Sequence, residues 1–174
     1  MFKFVKQLFS AKGKYRRIDV EKPFEFLLTE SCVQSICKCI EPFTKKKHEG
    51  IAYIYGRTDG NITIAVGAIR PQARTTPGSF SVSVVEMARL VKEIRRCGLQ
   101  LICQLHTHPG AAYHSEGDVE GLKLICSGYV SIVLPNYGIG LPSFNGAAFY
   151  YYKKGVGFCE LNSEYIKIIP NTLP

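Results

Sequence analysis

A chain of 174 residues with 46% apolar residues and a mean hydropathy of +0.02 carries enough apolar material for one folded core, and no apolar run approaches the roughly 20 residues of a membrane-spanning helix. The net charge of +8 suits an acidic partner, but the basic residues lie in separate short clusters, Lys12 to Arg17, Lys45 to Lys47 and Arg95-Arg96, without the aromatic-basic pattern or zinc finger of a nucleic-acid reader. Seven cysteines, an odd number with Cys37-x-Cys39 as their closest pair, argue against a structural zinc site and for a reducing cytoplasmic setting.

The segment Met1 to Phe9 interleaves lysine with apolar residues and lacks the continuous apolar stretch and small-residue cleavage site of a signal peptide. It reads as a strand or helix packed on the domain, within a short basic extension to about residue 22; a basic helix touching a membrane or partner is the other reading. From Thr29 to Glu41, Val33, Ile36, Cys37 and Ile40 recur at helical spacing, and Pro42 is expected to end that helix. Ile51 to Gly56 reads as a strand, Asp59-Gly60 as a tight turn, and Ile62 to Ile69 as the returning strand.

Pro71 to Phe80, with two prolines, two threonines and a glycine, is expected to be a functional loop. Met87, Ala88, Val91 and Ile94 form one stripe of a helix that starts at Val84 and ends at Gly98. Leu99 to Leu105 is a strand running into two histidines, Val119 to Cys126 a short helix, and Val130 to Leu134 a buried strand. Beyond the Gly/Pro loop from Pro135 to Gly146, Ala147 to Lys153 and Val156 to Leu161 form a closing hairpin around Lys154-Gly155, followed by an isoleucine-rich tail. This order describes a single α/β domain with a mixed sheet flanked by helices.

The chemistry concentrates where the strand from Leu99 ends. In His106-Thr107-His108 the imidazoles, two residues apart on an extended chain, point to the same face and can converge on one ion. After the Pro109-Gly110 turn, Asp118 offers a third ligand, which leaves the fourth tetrahedral position for water, as a catalytic zinc site requires. Two imidazoles and a carboxylate suit zinc, and iron or manganese would accept the same set. Each piece also has a plain structural reading. His-x-His arises by chance, and Ser115-x-x-Asp118 is an ordinary capping box; a capped helix start would at the same time hold the aspartate rigidly.

Taken together, His106-Thr107-His108-Pro109, Ser115 and Asp118 resemble the JAMM motif of the MPN metalloprotease family. The stretch Glu49-Gly50-Ile51-Ala52-Tyr53-Ile54-Tyr55-Gly56 is similar to the family's upstream glutamate strand. The resemblance covers roughly Glu49 to Leu134. It implies the MPN fold, with a cytidine-deaminase-like arrangement, and one zinc ion per chain held by His106, His108 and Asp118. It also implies that Glu49 handles the proton and that Ser115 helps to stabilise the oxyanion.

There are two departures. The interval from His108 to Asp118 is one residue shorter than in the eukaryotic proteasomal members, and Ala52 stands where many members have glycine. The form His-Thr-His-Pro-Gly, with His114-Ser115 before the aspartate, resembles a bacterial branch found beside ubiquitin-like conjugation enzymes, including those of antiphage operons.

The function so implied is removal of a ubiquitin-like modifier from its conjugates, or trimming of its precursor, with E1-like and E2-like enzymes of the same operon as companions. A peptidase acting on a small sulfur-carrier protein and a metal-free MPN scaffold are the alternatives, although scaffolds usually lose the glutamate or a ligand. A cysteine nucleophile at Cys103 is disfavoured because an apolar strand raises a thiol pKa. His114 reads as a contact near the metal or an exposed turn residue, and His48 as a neighbour of the base or a solvated one.

Overall fold

Thr29 shows how local chemistry starts the fold. In the computed structural model, which describes residues 24–115, 117–118 and 128–171, its hydroxyl accepts from the Cys32 N–H at 3.1 Å and donates to the Ala65 carbonyl at 3.1 Å. One side chain thus caps a helix and ties it to the sheet. That helix, α1 (Glu30–Lys46), follows strand β1 (Glu25–Thr29) and buries Cys32, Val33, Ile36, Cys39 and Ile40. It does not stop at Pro42. The last turn continues to Lys46 because tertiary bonds hold it: Thr44 Oγ1 donates to the Tyr137 carbonyl at 2.6 Å. The Lys47 and His48 N–H groups also bond back to the Thr44 and Phe43 carbonyls. These contacts offset the bond and the room that a helical proline removes.

Strands β2 (Ile51–Thr58) and β3 (Ile62–Ile69) form the expected hairpin, with Gly60 at φ +95° and Asp59 Oδ1 accepting from the Asn61 and Ile62 N–H groups, each at 2.8 Å. The register shifts around Tyr55 and Gly56, and there the backbones close so tightly that a Cβ on Gly56 would lie 1.8 Å from the Ile64 carbonyl oxygen. The segment expected as a loop from Pro71 to Phe80 is instead a small separate hairpin, β4 (Ala73–Thr76) and β5 (Ser79–Val82), turning at Pro77-Gly78.

Helix α2 (Val84–Arg96) follows, capped by Ser83, whose side chain accepts from the Glu86 N–H. The remaining strands are β6 (Gln100–Thr107), β7 (Val130–Leu134), β8 (Ala148–Lys153), β9 (Gly157–Glu160) and β10 (Ile166–Ile169). The last of these is the tail of the sequence reading; it pairs in parallel with β1, a strand that reading did not assign. The expectations for Met1 to Phe9, for the basic extension and for the helix from Val119 to Cys126 lie outside the described residues.

Among the described residues, eight of the ten strands form one mixed sheet in the order β10-β1-β3-β2-β6-β7-β8-β9, in an α/β domain, as expected. Helix α1 covers one face, over Phe26, Leu28, Ala52, Ile54, Cys103, Leu105, Ile132 and Leu134. Among the described residues, the other face carries two smaller clusters. In one, Met87 and Leu90 of α2 pack on Ile51 and Tyr53; in the other, Tyr129, Val133, Tyr150 and Phe158 meet. β6, whose Leu101 packs against both, lies between them. Among the described residues, no helix is long and apolar enough to cross a membrane.

Two outcomes follow from this packing. Gly56→Ala is expected to cost about 3 kcal/mol or more, since backbone must move to admit the methyl, whereas Gly78→Ala, with nothing within 4 Å, stays within about 0.5 kcal/mol of wild type; denaturant unfolding distinguishes them. Glu86 supplies the second. Its carboxylate accepts from Arg89 Nε and Nη2, each at 2.8 Å, and from the Gln72 N–H at 2.9 Å, and these bonds hold its pKa down to about 2. A depressed carboxylate pKa contributes stability above the unfolded value of about 4.3 and loses it as pH falls towards the folded value. The gap in unfolding midpoint between wild type and Glu86→Gln is therefore expected to hold from pH 7 to about 5 and to shrink between about pH 4.3 and 2. A gap constant through that window would exclude this carboxylate as its source.

Candidate metal centre

β6 is hydrogen-bonded on both sides, to β2 and to β7, so its end is fixed in two directions. His106 lies opposite Ile51 on β2 and Val133 on β7 and is wholly buried. His108 stands just beyond the strand but keeps its place. Its N–H donates to the Leu134 carbonyl at 2.9 Å, and its own carbonyl accepts from the Tyr137 N–H at 2.7 Å. Thr107 between them points elsewhere: its hydroxyl accepts from the Gly50 N–H at 2.8 Å, while its own N–H donates to the Gly50 carbonyl at 3.0 Å.

The two imidazoles converge on Asp118 as their spacing implied. His106 Nε2 lies 3.3 Å from Asp118 Oδ1, and His108 Nε2 lies 3.3 Å from Oδ2. All three candidate ligand atoms lie within 4.8 Å of one another, in residues that are all buried. Metal–ligand bonds of 2.0–2.2 Å in a tetrahedron place ligands about 3.4 Å apart, so the two carboxylate–imidazole distances match edges of such a site.

His106 gives an independent test of fit. Although Nε2 is within ion-pair distance of Asp118, its angles are not those of a hydrogen bond, and neither ring nitrogen has a hydrogen-bond partner among the described residues. A buried polar atom left in that condition costs about 1–3 kcal/mol, which a cation at Nε2 would recover there. The donor set fits a borderline cation such as zinc.

Ser115 and Asp118 form the capping box that their spacing predicted. The Ser115 N–H and hydroxyl each donate to Asp118 Oδ2 at 2.7 Å, and the Asp118 N–H returns a bond to Ser115 Oγ at 3.2 Å. The shorter interval from His108 still delivers Asp118 to both histidines. Burial alone would push the Asp118 carboxyl up, but His106 and His108, together with the Ser115 hydroxyl, outweigh it and hold the group below the ordinary carboxylate range.

Glu49 sits immediately before β2, buried, with its N–H donating to the Thr76 carbonyl of β4 at 2.8 Å. Its carboxyl lies within reach of the charges of His108 and Asp118. Burial raises its pKa, the attraction of His108 opposes the rise, and repulsion from Asp118 adds to it, leaving the group above its ordinary value. The small hairpin therefore sets the base in place, and Phe80 of β5 also lies against His106 with ring centres 5.3 Å apart.

The structure corrects the exposed-turn reading of His114, which is buried beside His106; burial first, then the neighbouring histidines, pushes its pKa down to about 3. His48 is half-buried, its Nδ1 3.2 Å from Thr75 Oγ1. Cys103 is fully buried in the α1-side core, and burial raises its thiol pKa, as an inert cysteine requires.

Sequence reasoning did not find Thr107, Thr76, Phe80 or Tyr137. The Pro-Gly step between Thr/Ser-rich flanks carried a readable hairpin signal. Nothing local announces Tyr137, whose N–H holds His108 and whose hydroxyl donates to the Pro77 carbonyl at 3.1 Å.

Comparison with known proteins agrees with this arrangement. A family model described as prokaryotic homologs of the JAB domain matches residues 43–143, a span that includes every residue of the site. The chain is similar to "Probable metalloprotease y4jG" of Sinorhizobium fredii (strain NBRC 101917 / NGR234), with 33% identity over 114 residues, 63% of this chain and 70% of that protein. In fold it is similar to the solution structure of protein DSY2949 from Desulfitobacterium hafniense, with a TM-score of 0.61 at 20% identity, covering 84% of this chain and 92% of that one. With His106, His108 and Asp118 gathered in one buried group and the family model spanning more than half of its length, the chain belongs to the prokaryotic JAB/MPN-domain family.

Proposed function

We propose that this protein is a zinc-dependent metallo-isopeptidase or peptidase that cleaves a ubiquitin-like modifier from conjugates or trims its precursor. The observation that carries the reading is the convergence of His106, His108 and Asp118 in one buried group, with the buried Glu49 within reach of the charges of His108 and Asp118. The similar protein named a probable metalloprotease supports the reaction class. The substrate class rests on the resemblance of the His106 to Asp118 motif to the branch found beside ubiquitin-like conjugation enzymes, and E1-like and E2-like partners belong to the same proposal.

In this reading His106 Nε2, His108 Nε2 and Asp118 hold the ion, with Oδ1 free of the two Ser115 bonds that occupy Oδ2. Bound zinc supplies a Lewis acid and makes hydroxide available near neutral pH. Glu49 accepts the proton of the attacking water and returns it to the departing amine, a task suited to a carboxyl that burial has moved towards neutrality. Ser115 donates to the developing oxyanion after its hydroxyl turns from Asp118 Oδ2, and its N–H keeps the carboxylate in place meanwhile. The hairpin flanks the site, with Phe80 against His106 and the Thr76 carbonyl bonded to the Glu49 N–H. β4 is engaged by Glu49 while, among the described residues, β5 pairs with β4 alone, so an extended substrate tail can lie along β5 past His106.

The test uses purified protein and a ubiquitin-like modifier, encoded beside it, extended at its C-terminus or joined to a lysine. Wild type is expected to carry about one zinc per chain and to cleave, with cleavage lost to a chelator and restored by zinc. Glu49→Gln is expected to keep the zinc and lose cleavage by about 100-fold or more. Undiminished cleavage by that variant would overturn the mechanism, and cleavage only of unrelated peptides would overturn the substrate class.

A further inference from the structure

We infer that His114 is a positioning residue for the metal centre, holding the third ligand on the sheet through Ser131 and Tyr150. The inference rests on the metal-binding reading above and concerns a residue that reading does not use.

The chain leaves β6 after Thr107 and returns with Asp118, and the ion's geometry depends on where that excursion is pinned. The pin is one residue before Ser115. His114 Nε2 lies 3.1 Å from Ser131 Oγ of β7, and both residues are buried. Its backbone N–H donates to the Tyr150 hydroxyl of β8 at 3.2 Å. Its ring stacks on Tyr150, centroids 4.8 Å apart at 26°, and meets the edge of Phe158 at 4.7 Å. Two strands therefore fix both the main chain and the side chain of His114.

The next residue transmits that position. The Ser115 N–H and hydroxyl both hold Asp118 Oδ2, leaving Oδ1 directed at His106 Nε2. The same anchor also lies beside the first histidine, with the His114 and His106 rings 6.1 Å apart. A carboxylate supported in this way loses its angle to the two imidazoles if the anchor slips by a fraction of an ångström, and metal sites depend on such outer support. A histidine that only filled the aromatic cluster would need no polar atom aimed at Ser131; a phenylalanine would serve.

That contrast sets the experiment. His114→Phe keeps an aromatic ring in the cluster, and His114→Gln keeps a polar end group for Ser131. Zinc affinity is measured by competition with a chromogenic chelator, and the unfolding midpoint is measured on metal-stripped protein. His114→Phe is expected to bind zinc about 10–100-fold more weakly with a metal-free midpoint close to wild type, and His114→Gln to recover most of the loss. If His114→Phe does not fold, Ser131→Ala, which retains His114, decides the matter by the same loss of affinity. Wild-type zinc affinity in the folded His114→Phe variant, or in Ser131→Ala where that variant does not fold, would overturn the inference while leaving the metal centre intact. Absence of zinc binding by wild type would overturn the metal centre itself.

Discussion

The pairing of β6 with a strand on each side is the constraint on which the site depends. An interior strand bonded to β2 and β7 has little freedom, so His106 inherits the rigidity of the sheet, and His108 is kept in line by the Leu134 carbonyl and the Tyr137 N–H. The residue between the histidines is equally constrained. Thr107 is bonded to Gly50, and Gly50 follows Glu49, so one residue of β6 couples the metal-binding strand to the start of the strand that carries the base.

Burying two imidazoles and two carboxylates in one cleft is unfavourable unless they compensate one another. Asp118 does so through His106, His108 and Ser115, and Glu49 only in part, which is why their carboxyl groups shift in opposite directions within the same site. Further cost lies nearby. Asn136, Tyr137 and Gly138 follow one another at φ of +51°, +56° and +75°, and for the two non-glycine residues such a conformation costs on the order of 1–3 kcal/mol each. The turn so made places Gly138 where a Cβ would lie 2.8 Å from Ile40 and brings the Tyr137 N–H to the His108 carbonyl. Strain and unsatisfied polarity collect where a ligand would repay them, and the α1-side core supplies the stability that tolerates both.

Much of this was legible in the sequence, for reasons that differ by element. The β2–β3 hairpin and the buried β7 were readable because turn chemistry and apolar runs are local signals. His106 and His108 were readable as a pair because strand alternation dictates their common face, and Asp118 because the capping box that fixes it is itself a local pattern. What escaped was non-local. β1 and β10 are short strands whose parallel partners are distant in the chain, the last turn of α1 continues past Pro42 with Thr44 bonded to the distant Tyr137 carbonyl, and His114 is buried by strands that follow it. The segment expected as a loop from Pro71 to Phe80 is an ordered hairpin, with half-buried and exposed residues alternating along both of its strands.

The central claim is that His106, His108 and Asp118 hold one ion and leave a position open beside Glu49. Anomalous diffraction at the zinc edge, on crystals grown with zinc, tests it without any assumption about substrate. The expected result is a single peak about 2.0–2.2 Å from His106 Nε2, His108 Nε2 and an Asp118 oxygen, with the Glu49 carboxylate nearby and not bonded to it. A peak on the cysteines, or one closed by Glu49 as a fourth protein ligand, would contradict the claim.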